Sequence, residues 1–311
     1  MTAEMPCRLV WRGKELTLTR PLIMGVVNAT PDSFSDGGDL RGAQAQVSRG
    51  LQLLEEGADI VDVGGQSAIT GVPEISEAEE TDRLLPVVEG LRAAGDLVIS
   101  VDTYRASVAD SALRAGADIV NDVSGALDPA LARVVAAHGA GMVVMHTRWR
   151  PKRRGEARDL YRDVEGGVVA DVIGFLRERI EALGEAGVAL EQLIVDPGPD
   201  FAKTAAQTVE VLRSLEAVVA LGRPVLLALS RKDFIGVITG RPPRDRLAGT
   251  LAAVAFAVER APRSILRVHD VAEVRAFLTV LDVLDGRVDI DPDAGLAKHL
   301  RWQSRIAPSA T

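Results

Sequence analysis

The sequence predicts one α/β domain, a (β/α)8 barrel with its active site at the carboxyl ends of the strands, and three observations carry that prediction. Short apolar runs of strand length recur eight times, at residues 22–27, 60–63, 97–101, 119–120, 142–145, 193–195, 225–229 and 265–268. They alternate with stretches whose apolar residues fall at helical spacing, at 43–55, 77–94, 105–115, 129–137, 168–186, 207–221, 245–260 and 271–284. No linker rich in Pro, Gly or Ser breaks the series, so eight βα units fit one closed barrel better than two open, doubly wound sheets.

The composition agrees. Of 311 residues, 47% are hydrophobic and only 4% aromatic, an aliphatic bias that suits parallel strands buried on both faces. Gly57-Ala58, Gly116-Ala117 and Gly139-Ala140 each stand just before an apolar run, where glycine supplies a left-handed helix cap. The expected layout is an N-terminal segment over 1–20, the barrel over 21–285 and a C-terminal tail over 286–311.

Charge and cysteine usage narrow the function. A net charge of -8 argues against a nucleic-acid surface, which needs excess Lys and Arg. The basic run from Arg148 through Trp149, Arg150 and Lys152 to Arg154 is an exception, read first as a solvated loop. Cys7 is the one cysteine, which excludes an internal disulfide and fits a reducing compartment. Residues 1–9 lack the apolar core of a signal peptide, and no apolar run is long enough to span a bilayer. The protein is therefore expected in the cytoplasm, without a membrane or nucleic-acid partner.

In a barrel the residues that follow each strand converge on one face. In chain order they are Asn28, then Gly64-Gly65-Gln66-Ser67, Asp102, Asn121-Asp122, His146, Asp196, Ser230-Arg231-Lys232, and Arg267 with His269. Helix N-capping accounts for some of the Asp, Ser and Asn. It accounts poorly for Arg231, Lys232, Arg267 and His269 gathering after strands seven and eight, where barrels commonly hold phosphate. His138 and His299 match no motif, and Tyr104 and Trp149 suit loop packing better than ring stacking.

These strand ends resemble the dihydropteroate synthase family from about Leu22 to Leu284. The motifs are the run from Met24 through Asn28-Ala29-Thr30-Pro31-Asp32-Ser33-Phe34 to Gly37-Gly38, Val101-Asp102-Thr103, Asn121-Asp122, Asp196-Pro197-Gly198, Ser230-Arg231-Lys232 and Arg267-Val268-His269-Asp270. The resemblance implies condensation of 6-hydroxymethyl-7,8-dihydropterin diphosphate with 4-aminobenzoate to dihydropteroate and diphosphate. It implies that Asp102, Asn121, Asp196 and Lys232 line the pterin pocket, with Asp102, Asp196 and Lys232 catalytic. Asn28, Arg267 and His269 would hold the diphosphate, and Asn28 a Mg²⁺ between its oxygens. Ser230, Lys232 and Phe201 would face the 4-aminobenzoate, residues 29–39 would close as a lid, and the chain would be a homodimer.

Loop two departs from the pattern. The family usually reads Gly-Gly-Glu-Ser-Thr-Arg-Pro-Gly, and here Gly64-Gly65-Gln66-Ser67-Ala68-Ile69-Thr70-Gly71 stands in its place. A phosphate ligand is thereby lost, and the sign of the missing charge points to Arg148 or Arg150 as its replacement. Two other functions are carried beside the synthase. One is a divergent paralogue that binds pterin without this activity or uses another arylamine; the other is a pterin-dependent corrinoid methyltransferase, which has no need of Ser230-Arg231-Lys232.

Overall fold

The computed structural model describes residues 7–29, 39–66, 73–151 and 157–301. Two antiparallel strands come first, β1 (Cys7–Trp11) and β2 (Lys14–Leu18). Eight parallel strands follow: β3 (Leu22–Asn28), β4 (Ile60–Gly64), β5 (Ile99–Asp102), β6 (Ile119–Asp122), β7 (Gly141–Met145), β8 (Leu193–Asp196), β9 (Val225–Leu227) and β10 (Ser264–Val268). They close in the order β10-β3-β4-β5-β6-β7-β8-β9. The fold is the (β/α)8 barrel that the alternation of runs predicts.

The helices are α1 (Asp39–Glu55), α2 (Glu77–Ala94), α3 (Ala106–Ala115), α4 (Pro129–His138), α5 (Gly167–Glu185), α6 (Ala205–Arg213), α7 (Leu215–Val219), α8 (Asp233–Thr239), α9 (Leu247–Arg260) and α10 (Val271–Leu284). The joint glycines take positive φ as expected, 103° at Gly57, 115° at Gly116 and 59° at Gly139. The helix expected over 207–221 is instead two. Ser214, at φ -111° and ψ 25°, leaves helical geometry, and its N–H bonds back to Val211 O. Helix α8 was not anticipated, because seven residues after Lys232 are too few to display a period.

Strand alternation puts every second residue into the lumen. Leu22, Met24, Ile60, Ile119, Val143, Ile194, Leu226 and Ile265 pack together there, and Leu9, Trp11 and Leu18 of the first two strands join the same cluster. The N-terminal segment is thus a hairpin seated on the barrel's apolar floor. Its turn, Arg12-Gly13, has φ of 47° and 76°, the pair of positive values that suits a two-residue hairpin. Arg12 N donates to Gly139 O at 2.6 Å, and its guanidinium donates to Leu113 O at 3.0 Å and Ala117 O at 2.7 Å. Arg223 donates to Arg8 O at 2.6 Å.

By contact, residues Met1–Arg275 form one compact unit and Ala276–Thr311 another. The second contains, among the described residues, the end of α10 and a short 3-10 turn, Lys298–Leu300, with Val288 and Ile290 exposed.

Leu9 is fully buried, so Leu9→Ala is expected to cost about 2–5 kcal/mol in denaturant unfolding. Arg8→Ala, which removes only an exposed pair with Glu15, is expected to cost under about 1 kcal/mol. A Leu9→Ala loss no larger than that of Arg8→Ala would show that the hairpin is not part of the cooperative core.

Candidate active site

Two residues above the apolar layer, the same lumen-facing positions turn polar. Ile60 is followed by Asp62, Ser100 by Asp102, Ile119 by Asn121, Ile194 by Asp196 and Ile265 by Arg267. Pairing sets Asn28 beside Gly64, Gly64 beside Asp102 and Asp102 beside Asn121. Arg267 links the row: Nε donates to Asp62 Oδ2 at 2.7 Å and a terminal nitrogen donates to Asp102 Oδ2 at 2.9 Å. Asn121 Nδ2 donates to Asp62 Oδ2 at 3.1 Å. Burial pushes Asp102 up to about 7, with Asp62 and Glu80 adding to the rise and Arg267 opposing it.

Asp62 was missed by a reading of strand ends. The signal was present as a charged residue inside the run Ile60-Val61-Asp62-Val63, which a buried strand does not carry without a partner. Asp122, by contrast, is structural: it accepts from Ser124 N at 2.7 Å and Ala126 N at 2.6 Å and so shapes the turn after β6.

After β8, Asp196 Oδ1 accepts from Gly198 N at 2.7 Å, and burial raises its carboxyl to about 6 against the pull of that bond and of Lys232 and Lys203. Gly198 has φ +65°, and a Cβ there would lie 2.1 Å from His146 O, so only glycine fits. Lys203, a second residue missed from sequence, is buried and donates to Gly198 O at 2.9 Å, Phe201 O at 3.1 Å and His146 Nδ1 at 2.8 Å. Burial brings its ammonium down to about 7. Lys203 thus ties down the loop that carries Phe201, and Lys232 Nζ lies 4.4 Å from the Phe201 ring centroid. An ammonium over a ring face is an attractive placement.

His146 takes the Lys203 bond on Nδ1, so its proton resides on Nε2 and is donated to Asp171 at 2.9 Å. Burial, then Lys203 and Arg148, hold it neutral, with its pKa near 2. Arg148 binds the same Asp171 with both Nε, at 2.8 Å, and a terminal nitrogen. Of the two arginines expected to stand in at the diphosphate, Arg148 is therefore paired with α5, and both are exposed.

At β10, His269 Nδ1 lies 3.1 Å from Ser230 Oγ, and His269 N donates to the same oxygen at 3.3 Å. Ser230 Oγ thus holds both the backbone N–H and the ring of His269, and so fixes the orientation of the imidazole at the end of β10. Burial and then Arg267 and Arg231 lower His269 to about 4, so it is neutral at pH 7. Arg231, in left-handed backbone at φ 59°, turns away to a two-point pair with Asp270.

At the edge of loop two, Gln66 Oε1 accepts from Ile75 N at 3.1 Å and its Nε2 donates to Tyr104 OH at 3.1 Å. Tyr104 in turn donates to Glu74, and Arg105 bonds Glu74, Ile75 O and Glu80. The Tyr104 hydroxyl is thus held between Gln66 and Glu74. Ser67, Ala68, Ile69, Thr70 and Gly71, residues 30–38 of the proposed lid, and Lys152 to Arg154 lie outside the described residues.

Among the described residues no cluster of three or more His, Cys, Asp or Glu is placed to hold a metal. The donors at the diphosphate end are the Asn28 amide, exposed at the tip of β3, and the Arg267 and His269 N–H groups. Of these only the Asn28 side-chain oxygen could ligate Mg²⁺, a metal that keeps its waters and takes most of its oxygens from substrate phosphate, so one protein ligand is enough.

A family model described as pterin binding enzyme matches residues 24–269. The dihydropteroate synthase of Bacillus subtilis is 41% identical over 266 residues, 85% of this chain and 89% of its own length. A Mycobacterium leprae protein named inactive dihydropteroate synthase 2 is also 41% identical, over 275 residues, 88% of this chain and 94% of its own. The structure of Xanthomonas albilineans dihydropteroate synthase with 4-aminobenzoic acid matches with a TM-score of 0.81 at 42% identity, over 90% of this chain and 99% of that one. With a barrel mouth of this composition and similarity extending over nearly the whole of these relatives, the chain belongs to the dihydropteroate synthase family of pterin-binding enzymes.

Proposed function

We propose that the chain joins 6-hydroxymethyl-7,8-dihydropterin diphosphate to 4-aminobenzoate, releasing diphosphate and forming dihydropteroate. The observation that carries this reading is the meeting of two buried carboxylates, Asp102 and Asp196, with Asn121, Lys232 and Arg267 at one barrel mouth. The amine nitrogen forms a bond to the pterin methylene carbon, the C–O bond breaks with its electron pair leaving on diphosphate, and the amine gives up one proton. Positive charge builds on the pterin as the leaving group departs. Asp102 and Asp196 stabilise it, and the walls of the barrel exclude the water that would weaken the field.

Asn121 orients the ring, and Lys232 lies between the pterin and the Phe201 side where the 4-aminobenzoate would sit. Arg267 and the His269 ring bind the diphosphate. Ser230 acts there through His269 as well as facing the amine. Asn28 would hold Mg²⁺, which when bound neutralises diphosphate charge. No helix of the described chain is long and apolar enough to cross a membrane, which supports a cytoplasmic enzyme. The exposed Val237 and Ile238 of α8 support a homodimer through the outer helices.

A second reading, a paralogue that binds pterin without this turnover, is favoured by the replacements at Ala68, Ile69 and Thr70 and by a relative of equal identity that is named inactive. Diphosphate release separates the two. The synthase releases diphosphate from the pterin substrate only when 4-aminobenzoate is added; pterin binding with no release under any amine overturns the synthase and leaves the paralogue.

The catalytic carboxylates act ionised, and both are raised, to about 7 and about 6. kcat/KM is expected to fall as pH drops through 7 and to fall more steeply below 6. Their contribution to the stability of the free protein has the opposite sign. It is fully present below the ordinary aspartate range and is lost as pH rises through 6 to 7, because the fold holds these protons more tightly than the unfolded chain. Asp102→Asn and Asp196→Asn should each lower kcat about 10²- to 10³-fold without lowering the melting temperature at pH 8. Near-native turnover in both variants would remove the electrostatic role.

A further inference from the structure

We infer that Asp62 is a positioning residue that sets which way the Asn121 carboxamide faces and holds it in register with Arg267. The inference rests on the pterin reading above and adds to it a residue that touches no substrate. Asp62 lies in the middle of β4 with no exposed surface. Both its bonds arrive at one oxygen, Oδ2, from Asn121 Nδ2 at 3.1 Å and Arg267 Nε at 2.7 Å. The other oxygen, Oδ1, is enclosed and has no donor.

A carboxylate with one bare buried oxygen is a poor choice for stability alone, since an unmet acceptor costs about 1–3 kcal/mol. Its value lies in what it imposes on its neighbours. Asp62 Oδ2 already accepts from the Arg267 guanidinium and has no proton to offer in return, so Asn121 must turn its NH₂ toward Asp62. The reverse orientation would set oxygen against oxygen. The Asn121 carbonyl oxygen then points elsewhere, and no described residue donates to it.

What remains for a ligand is an acceptor and, beside it, the second N–H of the same amide. A dihydropterin edge carries a ring N–H beside a bare ring nitrogen, which is complementary to one orientation of the amide and not to the other. The negative charge on Asp62 has a second use. Arg267 is held between Asp62 and Asp102, so its guanidinium stays at the diphosphate side and does not compete for the Asn121 oxygen.

The test is a double-mutant cycle on binding rather than turnover, with 6-hydroxymethyl-7,8-dihydropterin titrated calorimetrically into the unsubstituted chain, Asp62→Asn, Asn121→Ala and the double variant. A neutral amide at 62 permits either orientation of Asn121. Asp62→Asn is therefore expected to weaken pterin binding about tenfold in the native background and less than about twofold in the Asn121→Ala background. A merely structural role would weaken both equally, and that result overturns the inference, as does an unchanged affinity in the native background. If Asp62→Asn does not fold, Asp62→Ser goes through the same cycle under the same criterion. Failure of the unsubstituted chain to bind the pterin would overturn the pterin reading and this inference with it, whereas binding with additive losses overturns the inference alone.

Discussion

Asp62 and Asp102 share one guanidinium, and the organisation of the barrel mouth follows from that sharing. Two carboxylates inside the lumen would repel each other and pay the desolvation of both, were Arg267 not placed between them. Removing the guanidinium would leave two uncompensated buried carboxylates, at a cost of about 3–5 kcal/mol. The strand period makes the arrangement possible. One step along each strand pair changes an apolar floor of Ile60, Ile119, Ile194 and Ile265 into a polar rim of Asp62, Asn121, Asp196 and Arg267. The floor keeps water out, and the rim works in the low dielectric that results. Asp196 solves the same problem differently, with a backbone N–H bonded to it from Gly198 and the charges of Lys232 and Lys203 nearby.

The barrel and most of its rim were legible in the sequence because both rest on local periodicity. Strand, polar end, helix and glycine cap recur, and reading the ends in order collects Asp102, Asn121, Asp196, Lys232 and Arg267. Asp62 escaped because it is not at an end, and only its charge within an apolar run marks it. Lys203 escaped for another reason. Its loop turns through positive φ at Asp200 and Ala202, 65° and 52°, values that no non-glycine residue announces. The pairing of Arg148 with Asp171 spans 23 residues and two elements, so the sign of a charge predicted its presence but not its destination. The hairpin was legible in hindsight, as apolar alternation on either side of Arg12-Gly13.

Equal identity to a protein named dihydropteroate synthase and to one named inactive shows that global similarity does not separate activity within this family. The difference has to be local. At the edge of loop two, Gln66 both accepts from Ile75 N and donates to Tyr104, whose own proton goes to Glu74. The glutamate usual in the family, when ionised, has no proton for that donation. The amide at 66 and the tyrosine at 104 therefore form one unit with Glu74 and Arg105, and a change at one of them is felt by the other three.

The hairpin turn carries a consequence for assembly. Arg12 is anchored on carbonyls of residues 113, 117 and 139, and the Arg8 carbonyl accepts from the Arg223 guanidinium. Strands made first on the ribosome thus complete their seat only after residue 223 has emerged, contacts of long sequence separation that slow folding. Until then the greasy underside of the nascent sheet is uncapped. Once seated, the hairpin works as a stopper for that end of the cylinder, with Leu9, Trp11 and Leu18 pressed against its floor.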